Sequence, residues 1–463
     1  MENRKEIWLI SPEEAALTHR CLEMSMDKGA DHARVNLSKS MQDSCSMLNG
    51  EVDKVSHSGD RVLTFNLFAD GRYGSFSTNR LDSAALDIFI GKAVDMVRTL
   101  APDEFRKLPD PSRTAKDAVT GMEAGVFDRT YEETDADKRL DLARAAAFYG
   151  KNKEHDIISE EVEYSDSISD EYIIDSDGLG CRHSETSFEI GCETTLSDGE
   201  GGKVSGFWWD SSPFLDKLGK GDGCGRKAAE RAAAQKGARN MSSGKYNAVV
   251  ENETASRLLS PVLNALNAFS IQQKNSFLAE SLGKRLFPEG FTIMDLPRVK
   301  GACGAKLFDS EGVATRNCPV VEDGVVKEYF VNTYMAGKMG IAPTVEDVTR
   351  ACVLPFLKNG NVFKNGNAPE TFGARELMDL VGDGIYVCGL NGGNCNSATG
   401  DFSYGIEGFA FKNGRIAHPV RGMIMTGNML SLWASLIGAG TDCRGCMSRQ
   451  VPSMAFGAVD FSS

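Results

Sequence analysis

The residues best placed for chemistry lie in one hexamer, Asn252-Glu253-Thr254-Ala255-Ser256-Arg257, where a short strand-like run ends and a helical pattern begins. A carboxylate there could act as a general base if substrate or water were held beside it. A helix start also draws a carboxylate for its own reasons, because free backbone N–H groups and the helix dipole favour negative charge, and Asn252 can cap. That structural reading of Glu253 is the simpler one. Arg257 follows at the i,i+4 spacing that allows an ion pair with Glu253, which would plug the position. Imidazole ligands are scarce. Of the six histidines (19, 32, 57, 155, 183 and 418), His418 alone lies beyond residue 242, so a two-histidine zinc site cannot be assembled in the carboxy-terminal half. Cys443-x-x-Cys446 has the spacing of half a structural zinc site, but no second such pair completes four ligands. Two reduced thiols in a loop is the favoured reading.

Three other groups resemble sites and have plainer explanations. Asp401-Phe402-Ser403 lacks the G-x-S-x-G elbow of a serine nucleophile and reads as turn and core. Gly392-Gly393 lacks the Lys-Ser/Thr pair of a phosphate cradle and reads as a tight turn. Phe207-Trp208-Trp209 would mark an interface if exposed; burial is the default expectation.

Stepping outward, residues 246–269 read as strand then helix, with apolar positions 255, 258, 259, 262, 263, 266 and 269 on a 3.6-residue period. Pro261 is expected to kink or divide that helix. Upstream, helices are expected over 13–28, 83–99 and 225–239, and strands over 33–37, 62–68, 157–164 and 171–174, with turns at 70–72 and 175–178. The order helix, strands, helix, strands argues for an α+β fold over a doubly wound parallel sheet. Beyond residue 242 glycine-rich turns recur at 359–366, 382–384, 389–393 and 412–414, which suggests short antiparallel strands in a partly closed sheet. The expectation is two domains: residues 1–242, helix and strands, and residues 243–463, dominated by antiparallel β-strands and carrying the hexamer.

Bulk composition narrows the function classes. Of 463 residues, 65 are acidic and 51 basic, a formal charge of −14 that disfavours direct nucleic-acid contact and an anionic membrane surface. The charge-free stretch 422–441 holds four glycines and several hydroxyls, so it reads as buried strand and helix rather than a membrane span. The first twenty residues lack an apolar run of signal-peptide length, so a cytoplasmic protein is expected, with its twelve cysteines reduced.

Beyond the hexamer, long segments resemble the TldD/PmbA peptidase family: KNSFLAESLGKRLFPEGFTIMDLP, LFDSEGVATRNCPVVEDGVVKEYFVNTYMAGKMG and TGDFSYGIEGFAFKNGRIAHPVRGMIMTGN in the carboxy-terminal half. GADHARVNLSKS, DGRYGSFST and DSDGLG continue the likeness more thinly through the amino-terminal half. In the TldD branch the hexamer is H-E-x-x-x-H, two zinc ligands and a base. Here Asn252 and Arg257 stand at the histidine positions and Glu253 remains, which resembles the PmbA/TldE branch. Cys446 falls near the place where the TldD branch supplies a thiolate ligand. The resemblance implies a subunit without its own cofactor, paired with a TldD-like subunit that carries zinc and cleaves flexible peptide substrates; a homodimer is a further arrangement it allows. Two alternatives stay open: a stand-alone metallopeptidase using Glu253 with non-histidine ligands, and an indirect modulator of DNA gyrase, the family's traditional label.

Overall fold

The computed structural model describes residues 9–150, 156–199, 201–219, 223–358 and 371–463. The chain opens with α1 (Pro12–Asp27), whose start is written in its sequence. Ser11 accepts a hydrogen bond from the Glu14 N–H, the Glu14 carboxylate accepts one from the Ser11 N–H, and Pro12 occupies the first turn. Three strands follow, β1 (His32–Leu48), β2 (Glu51–Ala69) and β3 (Arg72–Thr78), then helices α2 (Ser83–Val97) and α3 (Ala136–Ala146). Next come β4 (Ile157–Asp175), β5 (Gly180–Ser197), β6 (Lys203–Ser212) and α4 (Gly223–Ala234). The six strands form one antiparallel sheet in the order β3-β2-β1-β4-β5-β6.

These strands run far longer than their apolar patterns. The β1–β2 hairpin turns at Asn49-Gly50, both at positive φ (53° and 84°), the two-residue turn whose twist matches its strands. The segments expected as separate strands at 157–164 and 171–174 are one continuous β4. Its polar middle stays in the sheet because its buried acids are partnered. Asp166 accepts from Arg139, Tyr131 and Tyr164, and Asp170 is paired with Arg182. α1 and α2 cover one end of the sheet, with Leu17, Cys21, Ile90 and Val94 against Val35, Leu37 and Phe65. α3 and α4 cover the other, with Ala143, Ala146 and Ala228 against Val162, Tyr164 and Phe188. α4 lies so close to β6 that a Cβ on Gly206 would sit 2.3 Å from the Ala228 carbonyl oxygen. It ends at Ala234, short of the expected 239.

The second half begins with β7 (Gly244–Val250), α5 (Asn252–Ala265) and α6 (Ala268–Gln272). Then come β8 (Ile293–Asp295), β9 (Cys318–Glu322), β10 (Val325–Val326), α7 (Thr333–Met339), β11 (Ala351–Val353), β12 (Phe356–Leu357) and α8 (Ala374–Val381). The chain closes with β13 (Gly384–Cys395), β14 (Asp401–Lys412), β15 (Arg415–Val420), β16 (Ile424–Asn428), α9 (Met429–Ala434), β17 (Leu436–Ala439) and β18 (Met454–Ser462). A small sheet has the order β10-β9-β8-β11. In the large one β7 pairs in parallel with β13 and antiparallel with β18, so that β7, β13, β14, β16 and β18 close into a ring without a free edge. The fold is α+β, with its second half rich in β-strands.

The large core beneath this sheet joins Leu258, Leu259, Val262 and Leu263 of α5 to Trp433, Phe291, Phe456 and Met425. Of the kink or division expected at Pro261, the division does not occur: α5 runs through it, and with four apolar residues of its inward face anchored, one lost backbone bond does not end it. Gly392-Gly393 forms no tight turn but lies in a bulge of β13, where the register to β14 shifts. The stretch 422–441 supplies β16, α9 and β17, and among the described residues no helix is long and apolar enough to cross a membrane. The glycine-rich segment 359–366 lies outside the described residues.

Candidate functional site

The hexamer sits where β7, held in the middle of the closed ring, hands over to α5. The capping residue is Glu251 rather than Asn252, which occupies the first helical position. Glu251 is gripped from two sides. Arg231 of α4 meets its carboxylate with two parallel hydrogen bonds of 2.8 and 2.9 Å, and the Tyr386 hydroxyl of β13 donates a third at 3.0 Å. Burial, reinforced by the Glu251 charge, pushes the Tyr386 hydroxyl far above its ordinary range, so it stays a donor.

Glu253 points the other way, towards the amino-terminal half. Its Oε1 accepts from the Trp209 indole N–H at 2.8 Å, and its Oε2 accepts from the Arg444 guanidinium at 2.7 Å. Arg444 comes from the irregular segment between β17 and β18. Its guanidinium lies 4.2 Å from the Trp208 ring centre and 4.6 Å from that of Trp209, and it donates also to the Trp209 carbonyl. The side chains of Arg444 and Glu253 are 11% and 32% exposed, so the pair is largely shielded from water.

The expected Glu253–Arg257 bridge does not form. Arg257 lies on the exposed face of α5 and donates instead to the Leu390 carbonyl at 3.0 Å. The i,i+4 spacing allows a pair but does not compel one, and an aromatic-flanked guanidinium from elsewhere takes Glu253. Asn252 is fully engaged: its side-chain N–H donates to the Asp442 carbonyl at 2.6 Å and its oxygen accepts from the Glu253 N–H at 2.7 Å. Asp442 in turn accepts from the Ser453 N–H and hydroxyl at 2.8 and 2.7 Å, which ties the 440–453 segment to the start of β18. Cys446 is on the same segment; its carbonyl accepts from the Ser211 hydroxyl at 2.9 Å, and burial foremost raises its thiol pKa. Burial pushes the Cys443 thiol up to about 12. Both are held as thiols, the weaker ligand form.

The structure thus gathers Asn252, Glu253 and Cys446 around Arg444 and leaves Arg257 outside. The aromatic trio is not buried as expected. Phe207 is half exposed, and Trp208 and Trp209 line the junction between β6 and the 440–453 segment. Arg444, Glu251 and Arg231 escape a sequence reading, and Trp209 enters it only as one of an aromatic cluster; one sign was available, since Arg444 lies between the two cysteines of C-x-x-C. Among the described residues no three His, Cys, Asp or Glu side chains come together as a metal site.

Comparison with known proteins bears on what this junction is. Residues 243–463 match the PmbA/TldA metallopeptidase C-terminal domain, 129–236 its central domain and 35–97 its domain 1. "Metalloprotease PmbA" of Escherichia coli O157:H7 is 26% identical over 439 residues, 93% of this chain and 91% of that protein. The crystal structure of a "putative modulator of DNA gyrase" from Bacteroides thetaiotaomicron is 35% identical, with a TM-score of 0.91 over 98% of this chain and all of that one. That of TldE from Thermococcus kodakarensis shares the fold, with a TM-score of 0.80 and 16% identity over 96% of this chain and all of that one.

Proposed function

Because the chain belongs to the PmbA/TldD metallopeptidase family, we propose that it is the metal-free member of a paired cytoplasmic peptidase, in which a TldD-type partner holds zinc and cleaves flexible peptides. Residues 1–242 and 243–463 then serve as two domains walling the peptide path, with the hexamer at their junction. One observation carries the reading. In a family whose catalytic members need a carboxylate free to act on water, Glu253 is neutralised by Arg444 and bonded to Trp209.

The donor set does not suit a divalent cation. At one former ligand position stands an amide with both ends already hydrogen bonded, and at the other a guanidinium that donates to the Leu390 carbonyl. Burial raises the Cys446 thiol pKa and so favours its protonated form. A zinc ion beside Glu253 would meet the Arg444 charge where it needs a lone pair. The name "modulator of DNA gyrase" carried by a relative fits an indirect effect, through peptide processing, better than DNA contact by a chain of charge −14.

The test is to purify the chain alone and together with a TldD-type protein, measure bound zinc, and follow cleavage of an unfolded peptide. No zinc and no cleavage alone, with cleavage on mixing, is the expected result. Chelator-sensitive cleavage by the isolated chain would overturn the proposal.

A further inference from the structure

The far end of α5 opens on a cavity of about 700 Å³, a size that holds a small ligand or a long side chain. Asn264, in the last turn of the helix, lines it. From Glu253 to Asn264 is about 17 Å of helix at roughly 1.5 Å per residue, so the cavity is separate from the clasp around Glu253. Phe269 of α6 stands 58% exposed at this cavity, and Phe308 and Phe330, almost wholly buried, lie in its wall. A phenyl ring left open beside such a wall is apolar surface that nothing in the chain covers.

The charges around the cavity are one-sided. Asp309, Glu346 and Asp347 line it against a single cation, Lys306, which is already paired with Glu171 at 3.0 Å. Asp309 accepts from the backbone N–H groups of Glu311, Val313 and Glu346, Glu346 accepts from the Ser310 hydroxyl, and Asp347 accepts from the Val348 N–H at 2.8 Å. Among the described residues none of the three is ion-paired, whereas Asp166, Asp170 and Glu251 are each met by an arginine. Arg449 attracts Asp347 from a distance but gives its hydrogen bond to Ser260. Burial raises the carboxyls of both Asp309 and Asp347 in spite of their hydrogen bonds, as happens where a counter-charge is missing. The acids do not converge as metal ligands, so the counter-charge that fits is an organic cation with a stem. Asn264, Asn332 and Ser397 add amide and hydroxyl groups to the lining, acceptors for the N–H groups of a guanidinium and partners for peptide bonds beside it.

We infer that this cavity receives an arginine or lysine side chain of a peptide substrate, with its aliphatic stem along Phe269 and its charged head at Asp347 and Glu346. Arginine suits it better, since a guanidinium stacks on an aromatic face and meets a carboxylate with two parallel N–H groups. The inference rests on the peptide-handling role proposed above for what presents the side chain, and it adds a preference for basic peptides. It uses no residue of the hexamer or its partners.

Fluorescence anisotropy on the full chain, without partner or zinc, tests it. The probe is a labelled unstructured peptide with one arginine, compared with the same peptide carrying citrulline, which keeps the shape and drops the charge. The arginine peptide should bind about tenfold more tightly, the worth of one charge-assisted contact. Asp347→Asn, an isosteric change at an exposed residue, should remove most of that preference. Asp53→Asn, the same change in net charge on the exposed part of β2, should keep it. Phe269→Ala should weaken both peptides alike, and spermidine should displace the arginine peptide only in large excess. Equal binding of the two peptides, a preference undiminished by Asp347→Asn, or displacement by spermidine at matched concentration would each overturn the inference, the last by assigning the cavity to free amines. An arginine preference that stands while mixing with a TldD-type protein yields no cleavage would uphold the cavity and sink only the pairing.

Discussion

Glu253 and Arg444 make the clearest case at the scale of single residues. Removing Arg444 as Arg444→Ala leaves a half-buried carboxylate with one neutral donor and takes the cation from Trp209, while Trp208 keeps Lys227 and Arg231 near its ring. The expected cost is about 2 kcal/mol in urea unfolding. Glu253→Gln also loses the ion pair and keeps one oxygen for one of the two donors, but it leaves Arg444 stacked on the tryptophans and should cost less, about 1 kcal/mol. If the two variants prove equally harmful, the ion pair that both remove, and not the stacking of Arg444 on the tryptophans, is what matters. Some of this was readable in the hexamer: Asn252 and Arg257 in place of imidazoles, and a carboxylate at a helix start. The partner of Glu253 was not, since it lies 191 positions along the chain and is selected by two aromatic faces that only folding brings near.

At the scale of elements, α5 shows how far a pattern carries. Its apolar period correctly marks Leu258, Leu259, Val262 and Leu263 as inward, and Leu259 is wholly buried. Leu259→Ala is expected to cost about 2–5 kcal/mol by the cavity it leaves. Arg257→Ala, on the exposed face of the same helix, should cost less than about 1 kcal/mol in the same measurement. The strands were harder to read. Period-two alternation marks the ends of β4, but its middle is polar and becomes strand only because Arg139 and Arg182 satisfy the acids that alternation turns inward.

At the scale of the whole molecule, buried carboxylates make stability depend on pH. Asp309 accepts hydrogen bonds from the backbone N–H groups of Glu311, Val313 and Glu346, yet burial outweighs them and pushes its carboxyl up to about 6. A carboxyl whose folded pKa lies above its unfolded one contributes stability below about pH 4 that is lost as pH rises through about 6. The advantage of the wild type over Asp309→Asn should therefore shrink by about 2 kcal/mol between pH 4.5 and 7.5, read by chemical unfolding at each pH. A difference that stays flat with pH would show that Asp309 keeps its charge throughout.

By itself the sequence determined the α+β class, the strand-to-helix junction at 250–252, the inward face of α5 and the family, because each rests on local periodicity or on contiguous motifs. The tertiary structure alone decided that the ring closes through β7, that Trp209 and Arg444 clasp Glu253, and that Arg257 turns away. Those outcomes depend on which distant groups compete best for one carboxylate or one strand edge. Such competition is settled by burial and geometry, and spacing along the chain does not encode either.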